Sequence, residues 1–488
     1  MHPCLSRPWV SLSMLALVGS AHALGGCVEV CDVVACGDGS ATGGAGAGAG
    51  PASGGGELGG GGGAPPAPTC DPQDDGEVGD DCGIFVDGTA ATGGDGSRAS
   101  PFRTLAEAIE PARLGSKRVY VCENADLVES VEIPSGLRLY GGLLCAATIR
   151  WSAVGRTAWT AAPGAIPARL VGSGGSVHLE GFAIVAADAE AASGESSIAV
   201  LASDLSLSLR RTSLRAGQGG LGMAGVGGAA GASGAGATGQ PAGAGSCGNA
   251  GGKGGTCTNS QFGLVCGDGA SGSPTGTGGS SGPGGQTCVA GGQGSPATVA
   301  GTNGPAAGRG SFDASGYVPE NGGAGLEGQH GSGGGGGGAK LANSVGKTGG
   351  GGGGGGCGGT GGSGGRSGGA SFALALVGAT VAFEEVELAS GKGGDGGSGG
   401  SGGPGGDGGL GAPGDSGCKG GDGSKGSSGG SGGGGRGGPS ALVAYAATSA
   451  PSLSGAVDVD ANARQGGLGA SGAPAGEAEV TLAFEASP

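Results

Sequence analysis

The sequence is short of aromatic residues, charge and histidine. Aromatics are 3% of 488 residues, charged residues 13%, and there are four histidines. With so little bulky apolar side chain, long segments cannot bury enough surface to offset their ordering entropy, so a conventional core is expected in only part of the chain. Two of the histidines fall in the first 26 residues, leaving His178 and His330. A Ser-His-Asp site is therefore not expected, and His178, between apolar Val177 and Leu179, reads as decoration on the solvent face of a strand. No C-x-x-C pair stands near histidine, so no zinc site is expected. Basic residues number 23 against 39 acidic, a net charge of −16. Nucleic-acid binding needs clustered Lys and Arg, so no such partner is expected. No apolar run approaches the length of a membrane span.

Glycine is what the chain has, at 135 residues. Such sequence generates motifs by accident. GGSSG at 278–282 and GGSGG at 361–365 match a nucleophile elbow, yet neither follows a strand. Gly346-Lys347-Thr348 lacks the upstream glycine of a phosphate loop, since Leu341 stands there. The acidic run 70–82, CDPQDDGEVGDDC, offers Asp74, Asp75, Asp80 and Asp81 as hard ligands but lacks calcium-loop spacing, and reads as a disulfide-closed, solvated loop. No catalytic residue, metal ligand or cofactor is assigned, and the chain is not expected to be an enzyme.

Residues 1–26 read as an export signal: Arg7, a short apolar run over 10–18, and Ala21-His22-Ala23 as a cleavage site. Leu24-Gly25-Gly26-Cys27 resembles a bacterial lipobox, with Cys27 as the lipidated residue. Cysteine parity favours that reading over free secretion. Of 14 cysteines, Cys4 leaves with the signal, and assigning Cys27 to a lipid leaves an even 12. Those are Cys31, Cys36, Cys70, Cys82, Cys122, Cys145, Cys247, Cys257, Cys266, Cys288, Cys357 and Cys418, candidates for disulfides in an oxidising compartment, with connectivity left open. The expected location is the outer membrane facing the cell surface, or outside the cell. A lipid anchor would be the only membrane contact.

Residues 27–69 form a Cys-containing lead and a Gly/Ala/Pro-rich tether. Order is expected from Cys70. Thr104 and Glu107 form a capping box for a short amphipathic helix that Pro111 should end or distort, placed to cover the open end of a stack. Beyond it the pattern is strand, and one octet recurs: VAFEEVEL at 381–388, LSLRRTSL at 207–214, VHLEGFAI at 177–184 and, more weakly, LRLYGGLL at 137–144. Apolar residues at places one, three, six and eight suit two short strands meeting at a corner. Segments 198–217 and 372–391 run alike, so they are expected to be equivalent coils.

The run GDGSRASPFRTLAEAIEPA, followed by VYVCENADLVESVEIPSGLRLYGGL, resembles the opening of pectate-lyase-like right-handed parallel β-helix proteins. The matching positions are Gly96, Pro101, Phe102, Thr104, Leu105, Ala108 and Ile109. The layout is similar to glycine-rich predicted surface lipoproteins of myxobacterial type, with tracts like mycobacterial PGRS regions. The resemblance implies an all-β solenoid with a capping helix and long glycine-rich insertions. Its β-helix part would span 70–216, 371–390 and 440–488, interrupted by insertions at 217–370 and 391–439.

The insertions have a period of their own. From 393 to 438 every third residue is Gly, for 16 consecutive positions. Three residues per turn is polyproline-II-type geometry. Packed glycine-lined helices and plain disorder both remain open for these tracts. They are expected to present backbone hydrogen-bonding groups to the outside.

The resemblance makes a polysaccharide lyase or glycosidase the enzymatic rival, with Glu384, Glu385, Glu387, Arg210 and Arg211 as candidates. Octet alignment puts Arg210 opposite Glu384 and Arg211 opposite Glu385, which reads more simply as an ion-pair ladder. The expectation is a structural or adhesion-type surface protein, with a polysaccharide or surface matrix as partner.

Overall fold

The computed structural model describes residues 70–485, apart from 76, 117, 146–148, 152–154, 275–278, 280–281 and 447–449. The signal, Cys27, Cys31, Cys36 and the tether lie outside the described residues. The helix, Leu105–Gly115, forms as its capping box predicts: the Thr104 side chain accepts from the Glu107 amide, and the Glu107 carboxylate accepts from the Thr104 amide. Glu129 accepts from the Leu105 and Ala106 amides as well. Pro111 lies inside the helix and does not end it, since the helix runs on to Gly115. Leu105, Ala108, Ile109 and Ala112 are buried on both sides of it, so tertiary packing outweighs the lost backbone bond.

Apart from this helix and a four-residue turn of helix at Pro72–Asp75, the described secondary structure is strand, mostly in three parallel sheets. Sheet A contains Gly83–Val86, Arg118–Cys122, Arg138–Cys145, Ser176–Glu180, Ser206–Arg210 and Thr380–Glu384. Sheet B contains Leu127–Val128, Thr157–Thr160, Phe182–Ala186, Ser213–Ala216, Val386–Ala389 and Ala456–Asp458. Sheet C contains Val131–Pro134, Ala168–Val171, Ser197–Ser203, Ser371–Val377, Ser440–Ala446 and Ala478–Ala483. From Val131 to Ala446 the chain visits the sheets in rotation, C to A to B; after Ser440–Ala446 it passes from sheet C to sheet B and back to C, with no described strand in sheet A. The inward residues, among them Ile133, Leu139, Leu170, Leu179, Ile184, Leu209, Leu374 and Leu388, are buried in one shared core.

The octets at 177–184, 207–214 and 381–388 are corners from sheet A to sheet B, whereas the weaker match at 137–144 is not, because Arg138–Cys145 runs on as one strand of sheet A. The hinge residue of each corner takes positive φ: Gly181 at 73°, Arg211 at 45° and Glu385 at 53°. The two coils flanking the first insertion are neighbours in all three sheets, with Ile198 beside Phe372, Leu207 beside Val381 and Leu214 beside Leu388. The segment over 127–133 forms two strands, Leu127–Val128 and Val131–Pro134, because the chain turns from sheet B to sheet C at Glu129 and Ser130.

The glycine tracts are ordered and pack on one another. Every third amide of one tract donates to a carbonyl of a neighbour. Gly397, Gly400, Gly403, Gly406 and Gly409 donate to Arg366, Ser363, Thr360, Cys357 and Gly354 at 2.7–2.9 Å. The same row spacing links 222–237 to 395–410, 322–337 to 350–365, and 350–368 to 418–436. The run of eight glycines at 349–356 is buried, with neighbours on three sides. A Cβ would lie 2.0 Å from the Gly334 carbonyl oxygen at Gly352, 2.0 Å from that of Gly409 at Gly353, and 2.2 Å from that of Ala244 at Gly354. Glycine thus records contact: three covered faces require it at every position, one covered face at every third. The expectation that the tracts offer their backbone to the outside is corrected for these rows, whose amides and carbonyls bond to each other.

Disulfides and one hairpin fasten the bundle. Cys247–Cys357 and Cys288–Cys418 join tracts, Cys257–Cys266 closes a hairpin, and Cys70–Cys82 and Cys122–Cys145 lie at the start of the sheets. All ten candidate cysteines in the described region are paired. From the first insertion the antiparallel strands Ser311–Asp313 and Gly316–Val318 return to sheet C. There Phe312 stacks on Phe484 at 5.2 Å and meets Phe372 edge-on at 6.0 Å.

Candidate functional site

The outer face of sheet A carries a polar cluster built around a buried acid. In a strand alternate side chains share a face, so His178 and Glu180 point outward together, as do Ser208 and Arg210. Parallel register then sets Ser208 beside His178 and Arg210 beside Glu180, with Arg138 beside His178 on the other side. His178 thus decorates the outer face as expected, with Val177 and Leu179 buried beneath it.

Glu180 is the centre. It is 1% exposed, although it is an acid on the outside of a sheet. His178 Nε2 lies 3.2 Å from its Oε2 and Arg211 Nε donates to Oε1 at 3.3 Å. Arg210 Nη1 stands 3.9 Å away, and Gln73 donates to Oε1 through a short contact. Burial alone would raise the Glu180 pKa. Hydrogen bonds from His178 and Gln73 and the charge of Arg210 more than offset it, so the pKa falls below the ordinary glutamate value.

Gln73 belongs to the acidic loop that the Cys70–Cys82 disulfide closes. This loop covers an aromatic ladder on the outer face: Phe85, Tyr120 and Tyr140 stack at 5.4 and 5.5 Å, and the Tyr120 hydroxyl donates to the Cys70 carbonyl at 2.6 Å. Burial pushes the Tyr120 pKa up to about 12. Where the ladder ends, Asp71, Arg138, Tyr140, His178, Glu180, Ser208 and Arg210 line an open groove of about 300 Å³.

The five residues considered for lyase or glycosidase chemistry do not converge. Arg210 Nε meets Glu384 at 3.0 Å across adjacent strands, as the octet alignment predicts. The Arg211–Glu385 pair does not form. Both residues are corner hinges, and the Arg211 side chain turns to Glu180 and is 8% exposed, while Glu385 faces solvent. Glu387 lies in sheet B and takes a two-point bond from Arg156 at 2.9 and 3.1 Å. No group of three or more possible metal ligands occurs among the described residues.

Sequence reasoning missed Glu180, Ser208 and Gln73. A signal for the first two was present, because aligning 177–184 with 207–214 already sets His178 opposite Ser208 and Glu180 opposite Arg210. Gln73 had none, since it arrives from a loop 107 residues away.

Two consequences are measurable. Arg211→Leu leaves a buried carboxylate with one cation fewer and should cost about 3 kcal/mol, whereas Glu384→Gln, at an exposed pair, should cost under about 1 kcal/mol. Equal midpoint shifts in chemical denaturation would refute that ranking. Because the folded pKa of Glu180 is depressed, its contribution is fully present above the unfolded glutamate value of about 4.3 and is lost as pH falls through the folded value. Stability should drop below that pH by less in Glu180→Gln than in the parent; parallel pH profiles would contradict this.

No protein-family model, curated protein or solved structure matches this chain.

Proposed function

We propose that the chain is an exported structural or adhesion-type protein, in which a parallel β-helix holds a rigid glycine bundle at the cell surface or outside the cell. The repeated passage of the chain through three parallel sheets supports the β-helix reading. The opening signature supports its right-handed, pectate-lyase-like form. Five disulfides belong to an oxidising compartment. No described helix is long and apolar enough to cross a membrane, and Cys27 is the residue a lipid anchor would use.

The observation that carries the structural reading is that glycine in the tracts follows the contacts made within this chain. Where a neighbour covers a tract, glycine is present: a Cβ at Gly434 or Gly437 would lie 1.7 or 1.9 Å from a carbonyl oxygen of the 466–470 segment. Further along the same row, beyond that neighbour, stand exposed Ser431, Ser428 and Lys425. Outer amides are taken by side chains instead, Val226 by Ser363 Oγ and Ala229 by Thr360 Oγ1, each at 2.7 Å. Such a body presents small polar and apolar side chains on a stiff frame, which suits contact or shielding at a surface.

Antibody against the folded unit should label intact cells or their medium, and palmitate should be incorporated by the parent but not by Cys27→Ser. Label that appears only after permeabilisation would overturn the surface reading. Label retained in Cys27→Ser would overturn the anchor alone. The groove on sheet A favours a second reading, carbohydrate binding or cleavage, for which reproducible product release from a polysaccharide panel is the test.

A further inference from the structure

We propose that Ser208, His178 and Glu180 form a serine-nucleophile relay on sheet A, able to cleave small acyl esters of polar alcohols. The proposal goes beyond the scaffold role and does not depend on it.

Nucleophilic catalysis by serine requires a base within hydrogen-bond reach of the hydroxyl and a third group that orients the base. Ser208 Oγ lies 3.1 Å from His178 Nδ1, and His178 Nε2 lies 3.2 Å from Glu180 Oε2. The ring nitrogens are used in the order opposite to that of the chymotrypsin triad, but an imidazole can relay a proton either way. Glu180 is held rigidly by Gln73 and Arg211 from behind, so it orients the ring as a fixed anion. Regular sheet hydrogen bonding keeps Ser208 and His178 in lateral register, so their approach does not depend on a mobile loop.

The groove supplies the remaining parts. It is open, polar and about 300 Å³, a size for a short acyl group on a polar carrier and not for a long chain. Arg138, exposed beside His178, lines it and is the donor for a developing oxyanion, while Arg210, also on its wall, is held by Glu384 and Glu180 and adds positive charge. In the reaction Ser208 Oγ bonds to the acyl carbon and its proton passes to His178 Nδ1. The carbon–alkoxy bond breaks, and the departing oxygen takes that proton. Water then attacks the acyl-serine, gives a proton to His178, and releases the acid with Ser208 restored by the same proton.

The test uses the full chain with a fluorophosphonate probe and with p-nitrophenyl acetate. Ser208 attack on the probe expels fluoride and leaves a phosphonyl-serine that peptide mass spectrometry locates. The expected result is labelling at Ser208, with ester turnover lowered at least about 100-fold in Ser208→Ala and His178→Gln, and unchanged in Ser206→Ala, which lies outside the groove on the same strand. Unfolding midpoints of the variants, measured alongside, separate loss of chemistry from loss of fold. An unlabelled parent, label on another serine, or equal turnover in Ser208→Ala with an unchanged midpoint would overturn the relay and leave the scaffold reading untouched.

Discussion

Gly353→Ala should disrupt the glycine bundle, at a cost of about 3 kcal/mol or more, the upper end for overpacked interiors. The added methyl would sit 2.0 Å from the Gly409 carbonyl oxygen. Flexible side chains often absorb such an intrusion by changing rotamer, but here every nearby atom is backbone. Gly353 donates to Gly421 and the Gly353 carbonyl accepts from Gly334, so moving its tract disturbs bonds on two other sides. Ser401→Ala, on an exposed row of the adjoining tract, is the control and should stay within about 0.5 kcal/mol. Hydrogen exchange of tract amides and denaturant unfolding would both report the difference. Equal stability of the two variants would mean that the tracts do not pack this closely in solution.

The second large effect concerns the long-range disulfides. Cys288–Cys418 closes 130 residues and Cys257–Cys266 closes 9. Chain-entropy accounting assigns roughly 5 kcal/mol to the longer loop and roughly 2.5 kcal/mol to the shorter. Cys288→Ser/Cys418→Ser should therefore lower stability about twice as much as Cys257→Ser/Cys266→Ser. The bundle depends on such links more than an ordinary domain would, because its interior is glycine and buries little apolar side chain. A larger loss from the short bridge would show that local strain, and not unfolded-chain entropy, sets the contribution of these bonds.

Much of the sheet region was legible because burial fixes register. A one-residue slip would turn Leu207 and Leu209 outward, so the octets at 207–214 and 381–388 could be aligned by pattern alone. The alignment correctly paired Arg210 with Glu384. It failed one residue later, at Arg211, because the corner's positive φ redirects that side chain to Glu180. Of the two outcomes expected at Pro111, termination did not occur for a related reason: a local rule about helix ends was outweighed by packing of Ala108 and Ala112.

The candidate site was half legible. His178, Glu180, Ser208 and Arg210 lie on aligned octets, but no pattern announced that the loop from Cys70 would close over the neighbouring ladder and bring Gln73 to Glu180. The scarcity of histidine argued against a serine site by numbers, whereas such a site needs only one histidine in the right register.

The sequence by itself determined the period of each part: two with a corner break in the sheets, three in the tracts, and a capped helix at the start. Those periods follow from local backbone geometry and from which side chains avoid water. Tertiary structure alone decided that the tracts are ordered. The carbonyls that exclude a Cβ at 349–356 come from segments before and after it, including Ala244, Gly334 and Gly409, and are brought there by the paired strands that the insertions leave and rejoin. Glycine permits that close approach without specifying it. The same distant assembly buries Glu180, since an acid on a strand's outer face stays solvated until another part of the chain covers it.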